Sequence, residues 1–305
     1  MSKVVLRSAF LVLMILLGLT KAYAAQQSLD YSDVKFHVFT SEDDGFFVNS
    51  VIVEGKDELL LVDAQLTRAN ALEVLKIIET LNKDLKRIYI THEHPDHFLG
   101  LEVFKDAFPN VKVLANSNVA EGIEKTYQAK LDKWRGLLGD KAATREVSIT
   151  RFDENEISLG ATKIQIYKHL QGDTEENSYL WFPKERVAIV GDLVYKDMHL
   201  YTVETTRESR KLWVENLDAL AQLSPDIVIP GHSYANVKFD SHSAIDFTKQ
   251  YLSVFDQELA KSTTASEFKQ HMKEKYPDAA LFFGVDRAAA KFFDAPIQQN
   301  KLPPR

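Results

Sequence analysis

Cysteine is absent from all 305 residues. That excludes a disulfide framework, a thiolate nucleophile and any zinc–thiolate centre, so metal chemistry in this chain has to use histidine and carboxylate. The absence also suits an oxidising compartment, where nothing in the chain can be wrongly cross-linked. Positive charge is in deficit, with 37 Lys and Arg against 44 Asp and Glu and a formal net charge of -7, which leaves no global electrostatic pull on nucleic acid. Internal repeats and low-complexity tracts are missing as well. The one long apolar run, Ala9 to Leu19, is shorter than the roughly 20 residues that a membrane helix needs.

That run reads as part of an export signal. Lys3 and Arg7 precede it and Ala22-Tyr23-Ala24 follows with small residues at cleavage spacing, so residues 1–24 are expected to be removed. A mature chain beginning near Ala25 loses Lys3, Arg7 and Lys21 and no acid, which moves the formal charge from -7 to -10. The expected location is periplasmic or secreted, with no stable membrane anchor after cleavage. The remainder, from a chain that is 45% hydrophobic, is long enough to bury a large core.

Along the chain, Val34 to Phe39, Phe46 to Val53 and Glu58 to Val62 are β-rich and separated by the turn-forming Asp43-Asp44-Gly45 and Gly55-Lys56-Asp57. Ala71, Val74, Leu75, Ile78 and Leu81 then recur at helical spacing, and a strand at Arg87 to Ile90 follows. The alternation continues through a helix at Leu99 to Phe108, a strand at Val111 to Leu114, a polar helix near Val119 to Leu138, and hairpin strands from Ile149 to Tyr167. After it come strands at Tyr179 to Phe182 and Val187 to Val190, a helix at about Glu208 to Leu223 and a last strand, Ile227 to Ile229. Two sheets sandwiched between helices account for this order. Beyond Asp240 the pattern is wholly helical, and Pro303-Pro304 closes the chain in what reads as a loose tail.

The chemistry concentrates in Thr91-His92-Glu93-His94-Pro95-Asp96-His97, directly after the strand ending at Ile90. His92 and His94 sit two apart, so in an extended segment they point the same way. Asp96 and His97 fall where a turn into the next helix can aim them back. The chain holds only nine histidines, and a strand's C-terminal end is where layered α/β folds place ligand-binding groups. Imidazole and carboxylate together suit zinc, iron or manganese.

With His92, His94, Asp96 and His97 the sequence resembles the metallo-β-lactamase superfamily, whose hallmark is His-x-His-x-Asp-His after a strand. The resemblance runs from about Val34 to His232 and implies a four-layered αββα sandwich, here with a helical C-terminal extension. The expected division is 1–24 signal, 25–235 catalytic domain and 236–305 extension. The resemblance also implies an Asp at the end of an apolar strand that orients a histidine ligand, matched by Leu59-Leu60-Leu61-Val62-Asp63. It implies a metal-bridging Asp, matched by Ala188-Ile189-Val190-Gly191-Asp192, and a final histidine after Pro-Gly, matched by Ile229-Pro230-Gly231-His232.

One motif departs from the family. Where the family commonly reads Gly-His-Thr, this chain has Gly172-Asp173-Thr174. Asp173 takes the histidine's place in a register kept by Gly172, Thr174 and Trp181, and His169 is the alternative that would break it. With Asp96, Asp173 and Asp192 the site would carry three carboxylates, a harder and more negative set that leans toward iron or manganese and makes a bound water less acidic.

The ligand assignment that the resemblance implies is His92, His94 and Asp173 for one metal and Asp96, His97 and His232 for the other. Asp192 and a water lie between them, and Asp96 orients that water for attack on a carbonyl or phosphoryl centre. The expectation is an exported hydrolase with two divalent ions, zinc first, acting on a small ester, lactone or lactam. Penicillin hydrolysis is disfavoured, because zinc β-lactamases with a Cys near the Asp192 position usually carry a substrate-gripping Lys three residues on, where this chain has Tyr195. Two alternatives stand: a single-iron oxidoreductase of the sulfur dioxygenase kind, and a non-catalytic metal-binding interaction protein.

Of the other histidines, His37, His242 and His271 read as surface or packing residues, and His199 is left between packing and a place in the pocket. Phe282-Phe283 and Phe292-Phe293 read as core or homodimer contacts in preference to a substrate lid, although the extension could cover the pocket mouth.

Overall fold

A computed structural model describes residues 25–294. The expected signal over 1–24 and the Pro303-Pro304 tail lie outside the described residues. The first sheet is built from β1 (Ala25–Asp30), β2 (Lys35–Thr40), β3 (Asn49–Glu54), β4 (Glu58–Val62), β5 (Asp84–Tyr89), β6 (Lys112–Ala115) and β7 (Thr150–Arg151), in that spatial order. Its first four strands pair antiparallel as successive hairpins. The next three pair parallel, which requires crossovers. These are α1 (Arg68–Leu81), the short α2 (Pro95–Phe98) with α3 (Leu101–Ala107), and α4 (Ser117–Leu138). Thr67 caps α1 by accepting from the Asn70 amide, and Asn82 ends it in the left-handed region. Asn116 caps α4 by accepting from the Val119 amide.

The second sheet has the order β12-β11-β10-β9-β8, with β8 (Glu156–Leu159), β9 (Thr162–Leu170), β10 (Asn177–Phe182), β11 (Val187–Ile189) and β12 (Ile227–Ile229). Between β11 and β12, which run parallel, lies α5 (Arg207–Gln222). α6 (Ser243–Lys261), α7 (Ala265–Lys275) and α8 (Phe283–Ala289) follow.

Three apolar layers hold these parts together. Alternate residues of both sheets, among them Phe36, Val51, Leu60, Leu180, Phe182 and Ile229, meet in the middle. The outer face of the first sheet buries Ile52, Leu61 and Ile88 against α1, α3 and α4. The outer face of the second buries Tyr179, Ala188 and Val228 against α5 to α8, with Trp213, Tyr251 and Phe268 wholly enclosed. The architecture is the expected αββα sandwich, and the helices after Asp240 share their apolar layer with the second sheet.

Several expectations needed correction in detail. β1 has no alternating pattern in Ala-Gln-Gln-Ser-Leu-Asp; it is a strand because β2 offers it an edge along its whole length. The segment from Ile149 divides between the sheets, with β7 paired to β6 while β8 and β9 form the hairpin of the second sheet. The strand expected from Phe46 begins only at Asn49, because Phe46 and Phe47 both adopt left-handed backbone with φ of 61° and 59°. Such a conformation is costly for a bulky side chain, and it turns the Phe46 carbonyl toward the site described next.

Candidate metal centre

The site lies where the C-terminal ends of β5, β11 and β12 converge. β5 delivers Thr91 and His92, and Pro95 at the first position of α2, where a missing amide costs nothing, starts the turn that aims Asp96 and His97 inward. β11 and β12 deliver Asp192 and His232. Gly231 donates its amide to Gly191 O at 2.8 Å, and a Cβ at Gly231 would overlap the Asp192 carboxylate. Glycine is required there so that the two ligand-bearing turns can touch. Asp173 comes from the loop between β9 and β10, on the opposite wall. The two sheets are tied at this end by Ser178, whose amide and hydroxyl both donate to Thr91 O at 3.0 and 2.7 Å.

All seven expected ligands are brought together. One donor atom from each of His92, His94, Asp173 and Asp192 falls within 4.8 Å of the others, and the same holds for Asp96, His97 and His232. His94 Nδ1 stands 2.8 Å from Asp173 Oδ2. Asp192 joins the two groups: its Oδ2 is 3.6 Å from His92 Nε2 and 3.0 Å from His232 Nε2, and its Oδ1 is 3.1 Å from His97 Nε2. Asp96 Oδ2 completes the second group at 3.5 Å from His232 Nε2 and 3.8 Å from His97 Nε2.

His169, the alternative to Asp173, is turned away. Its side chain is half exposed and pairs with Glu176 Oε2 at 3.0 Å, whereas Asp173 is fully buried. His37 pairs with Glu54 and His271 with Glu258, both outside the site.

The far sides of the rings are held. Asp63 Oδ2 meets His97 Nδ1 at 2.8 Å while the same carboxylate accepts from the Thr91 amide and hydroxyl. His232 Nδ1 is 2.7 Å from Phe46 O, the carbonyl turned inward by the left-handed backbone. His92 Nδ1 lies 3.0 Å from Thr91 Oγ1. Each contact leaves Nε2 as the atom facing the centre, the arrangement that fixes ring orientation in metal sites.

This donor set fits divalent metal binding. His92 Nε2 and Asp192 Oδ1 are buried without a hydrogen-bond partner, a costly condition for polar atoms unless a cation engages them. The electrostatics agree. Burial opposes protonation of His94, yet Asp173 and Glu204 beside it hold its pKa well above the usual imidazole range. Burial opposes protonation of His97 too, and Asp192, Asp63 and Asp96 reverse it in the same direction. Burial raises Asp173 to about 6, against the pull of His94. For Asp192 burial is outweighed by His232, His97 and His92, which keep it well below the ordinary carboxylate range. His92 differs from His94 and His97: burial and the neighbouring His97 hold its pKa well below the usual imidazole range.

Four further residues reach the ligands. Tyr195 is buried with its ring stacked on His232 at 5.0 Å and 9°, and its hydroxyl reaches Asp192 Oδ2 at 2.6 Å and Asp173 Oδ2 at 3.1 Å. Tyr201 packs edge-on against His94 at 5.1 Å, and Glu204 Oε1 approaches His94 Nε2 to 3.5 Å. Phe46 supplies the carbonyl to His232. Tyr195 could have been found by its place three residues after Asp192; the others could not.

The ligands open on a pocket of about 610 Å³ that Glu93, Asp96, Lys130, Trp134, Tyr201 and Phe283 help to line. His199 also lines it, donating or accepting at Tyr251 OH over 2.9 Å. Phe282, Phe292 and Phe293 pack on the core of the second sheet as expected, Phe282 lining the pocket as well, whereas Phe283 lines the pocket where a core or dimer contact was expected.

A family model described as the metallo-beta-lactamase superfamily matches residues 43–232. The chain belongs to the metallo-beta-lactamase superfamily. Among relatives, it is 27% identical over 140 residues to an exodeoxyribonuclease, WalJ, of Streptococcus pneumoniae, covering 46% of this chain and 51% of that one. It is 24% identical over 147 residues to a type 2 metallo-beta-lactamase of a Bacillus species, covering 48% and 50%. The chain thus spans about half the length of these relatives. Among solved structures, a metallo-beta-lactamase from Pontibacter korlensis superposes with a TM-score of 0.57 at 20% identity, over 75% of this chain and 99% of that one. The chain is thus a superfamily member whose His/Asp cluster is suited to holding metal.

Proposed function

We propose that this protein is an exported hydrolase that uses two divalent metal ions on a small ester, lactone or lactam. The observation that carries the reading is Asp192, whose carboxylate lies against His92 of one ligand group and against His97 and His232 of the other. A carboxylate so placed would be shared between two cations. His92, His94 and Asp173 would hold one ion and Asp96, His97 and His232 the other. When bound, such ions polarise a carbonyl and lower the pKa of water.

The chain's own residues do the rest. Asp96 lines the pocket with its carboxylate partly exposed and is placed to accept a hydrogen bond from the attacking water and so orient it. Water adds to the carbonyl carbon, the bond to the leaving oxygen or nitrogen breaks, and that atom collects the proton. One substrate and one water thus give an acid and an alcohol or amine. The enclosing walls, with Tyr201 and Phe283 among them, limit bulk water.

Zinc is the first choice of metal, with iron or manganese favoured in proportion as the three carboxylates dominate. Export rests on Lys3, Arg7, the apolar run to Leu19 and the lack of cysteine. The likeness to an exodeoxyribonuclease is weighed against a net charge of -7, which repels a phosphate backbone, so nucleic acid stays outside the proposal.

Elemental analysis of the purified mature protein beside a panel of esters, lactones, nitrocefin and a phosphodiester tests the reading. Two divalent ions per chain with turnover of an ester, lactone or lactam supports it. One iron per chain with oxygen uptake on sulfur compounds overturns it, as does a fully loaded protein that hydrolyses nothing.

A further inference from the structure

A chain of aromatic rings leads from the ligand cluster to the mouth of the pocket. Tyr201 meets His94 at 5.1 Å, Phe283 lies 6.4 Å from Tyr201, Phe46 lies 5.0 Å from Phe283, and Trp134 lies 5.6 Å from Phe46. Leu137, one turn beyond Trp134 on α4, extends the line outward. The pieces come from four remote parts of the sequence, and Phe283 belongs to α8, beyond the residues 43–232 that the family model matches.

Two further observations point to an apolar occupant. Only four large hydrophobic side chains are exposed among the described residues, Leu72, Leu137, Leu212 and Phe283, and two of these four line this one pocket. Exposed apolar groups gathered at one cleft mark a binding surface, and about 610 Å³ lies in the range of small-molecule sites. Phe46, moreover, holds its ring in this wall through left-handed backbone at φ 61°, a strain of the kind found at functional sites. The same residue gives its carbonyl to His232, so the wall and the ligand cluster are fixed to each other.

We propose that this wall is an acyl-chain subsite: the substrate carries an apolar acyl group that lies along Tyr201, Phe46 and Phe283 while its carbonyl sits at the ligand cluster, and Phe283 of α8 determines specificity for chain length. The assignment of the occupant as the acyl part of an ester or lactone rests on the hydrolase reading. The apolar character of the subsite does not.

Two measurements on the full-length, metal-loaded mature protein separate these. The first is calorimetric binding of butyrate, hexanoate, octanoate and decanoate, which needs no turnover. Burial of a methylene is worth about fourfold in affinity, so binding should tighten about two- to fourfold per added methylene. Phe283→Ala should flatten that slope, whereas Leu212→Ser, exposed on α5 away from the pocket, should keep it. The second is kcat/KM for p-nitrophenyl acetate, butyrate and octanoate. It should rise at least tenfold along the series in the wild type, and in Phe283→Ala the octanoate rate should fall about tenfold further than the acetate rate does, so that the series flattens. A binding slope with no ester turnover keeps the subsite and removes the hydrolase. Turnover with no dependence on chain length, in binding or in rate, or a slope that Phe283→Ala leaves intact, overturns the subsite and keeps the hydrolase.

Discussion

Asp63 Oδ2 lies 2.8 Å from His97 Nδ1, which fixes Nε2 as the ring atom facing Asp192. Asp63 itself sits in the left-handed region at φ 60°, a conformation that asparagine tolerates. Asp63→Asn therefore keeps the backbone and one acceptor but removes the charge that makes His97 a stronger donor to a cation. Metal affinity should fall by about 10- to 100-fold with the fold intact, measured by competition with a chelating dye beside circular dichroism. Unchanged affinity would show that Asp63 serves Thr91 alone.

Asp173 and His169 give opposite expectations. Asp173 is buried 2.8 Å from His94 Nδ1, and His169 is on the surface with Glu176. Asp173→Ala should lower the metal content by about one ion per chain, because the site is left with two imidazoles and only the carboxylate of Asp192 that it shares with the other group. His169→Ala should leave the content unchanged. The reverse result in elemental analysis would mean that the loop after β9 rearranges on loading.

Tyr195 stands between two buried carboxylates, within 2.6 Å of Asp192 Oδ2 and 3.1 Å of Asp173 Oδ2. Its hydroxyl has one proton to share, and burial together with Asp173 and Asp192 pushes the phenol pKa well above its ordinary value, so it stays a donor. Removing it in Tyr195→Phe leaves like charges less compensated, at a cost of about 1 to 3 kcal/mol to the metal-free protein. A bound cation takes over that compensation, so the difference between variant and wild type in urea unfolding should shrink on loading. Equal differences with and without metal would place the hydroxyl's role elsewhere.

What was legible in the sequence and what was not divides by distance along the chain. His92, His94, Asp96 and His97 fall within six positions, and the strand before them has a clear apolar pattern, so geometry follows from local rules. Asp173 was legible because Gly172, Thr174 and Trp181 hold its register. The Phe46 carbonyl at His232, Tyr201 and Glu204 at His94, and Phe283 in the pocket wall all join residues more than a hundred positions apart, and no periodicity encodes such a meeting. Phe46 was read as the start of a strand because aromatic, β-branched neighbours favour one; the tertiary contact with His232 and Trp134 overrides that preference.

His199 offers a pH test independent of the metal ligands. It is buried beside Tyr251, Tyr276 and Phe282, and burial pushes its pKa down to about 4 from 6.5. The folded protein thus refuses a proton that the unfolded chain accepts below about pH 6.5. The sign follows: His199 costs no stability at neutral pH, and stability is lost as pH falls from 6.5 toward 4, by about 1 to 3 kcal/mol in all. His199→Gln cannot titrate and retains an acceptor for the Tyr251 hydroxyl. Urea midpoints of chelator-treated wild type and variant should therefore lie closer together at pH 5 than at pH 7, or cross, because in both proteins the empty ligand cluster titrates alike. Parallel pH profiles would show that His199 is already protonated, or already wet, in the folded state.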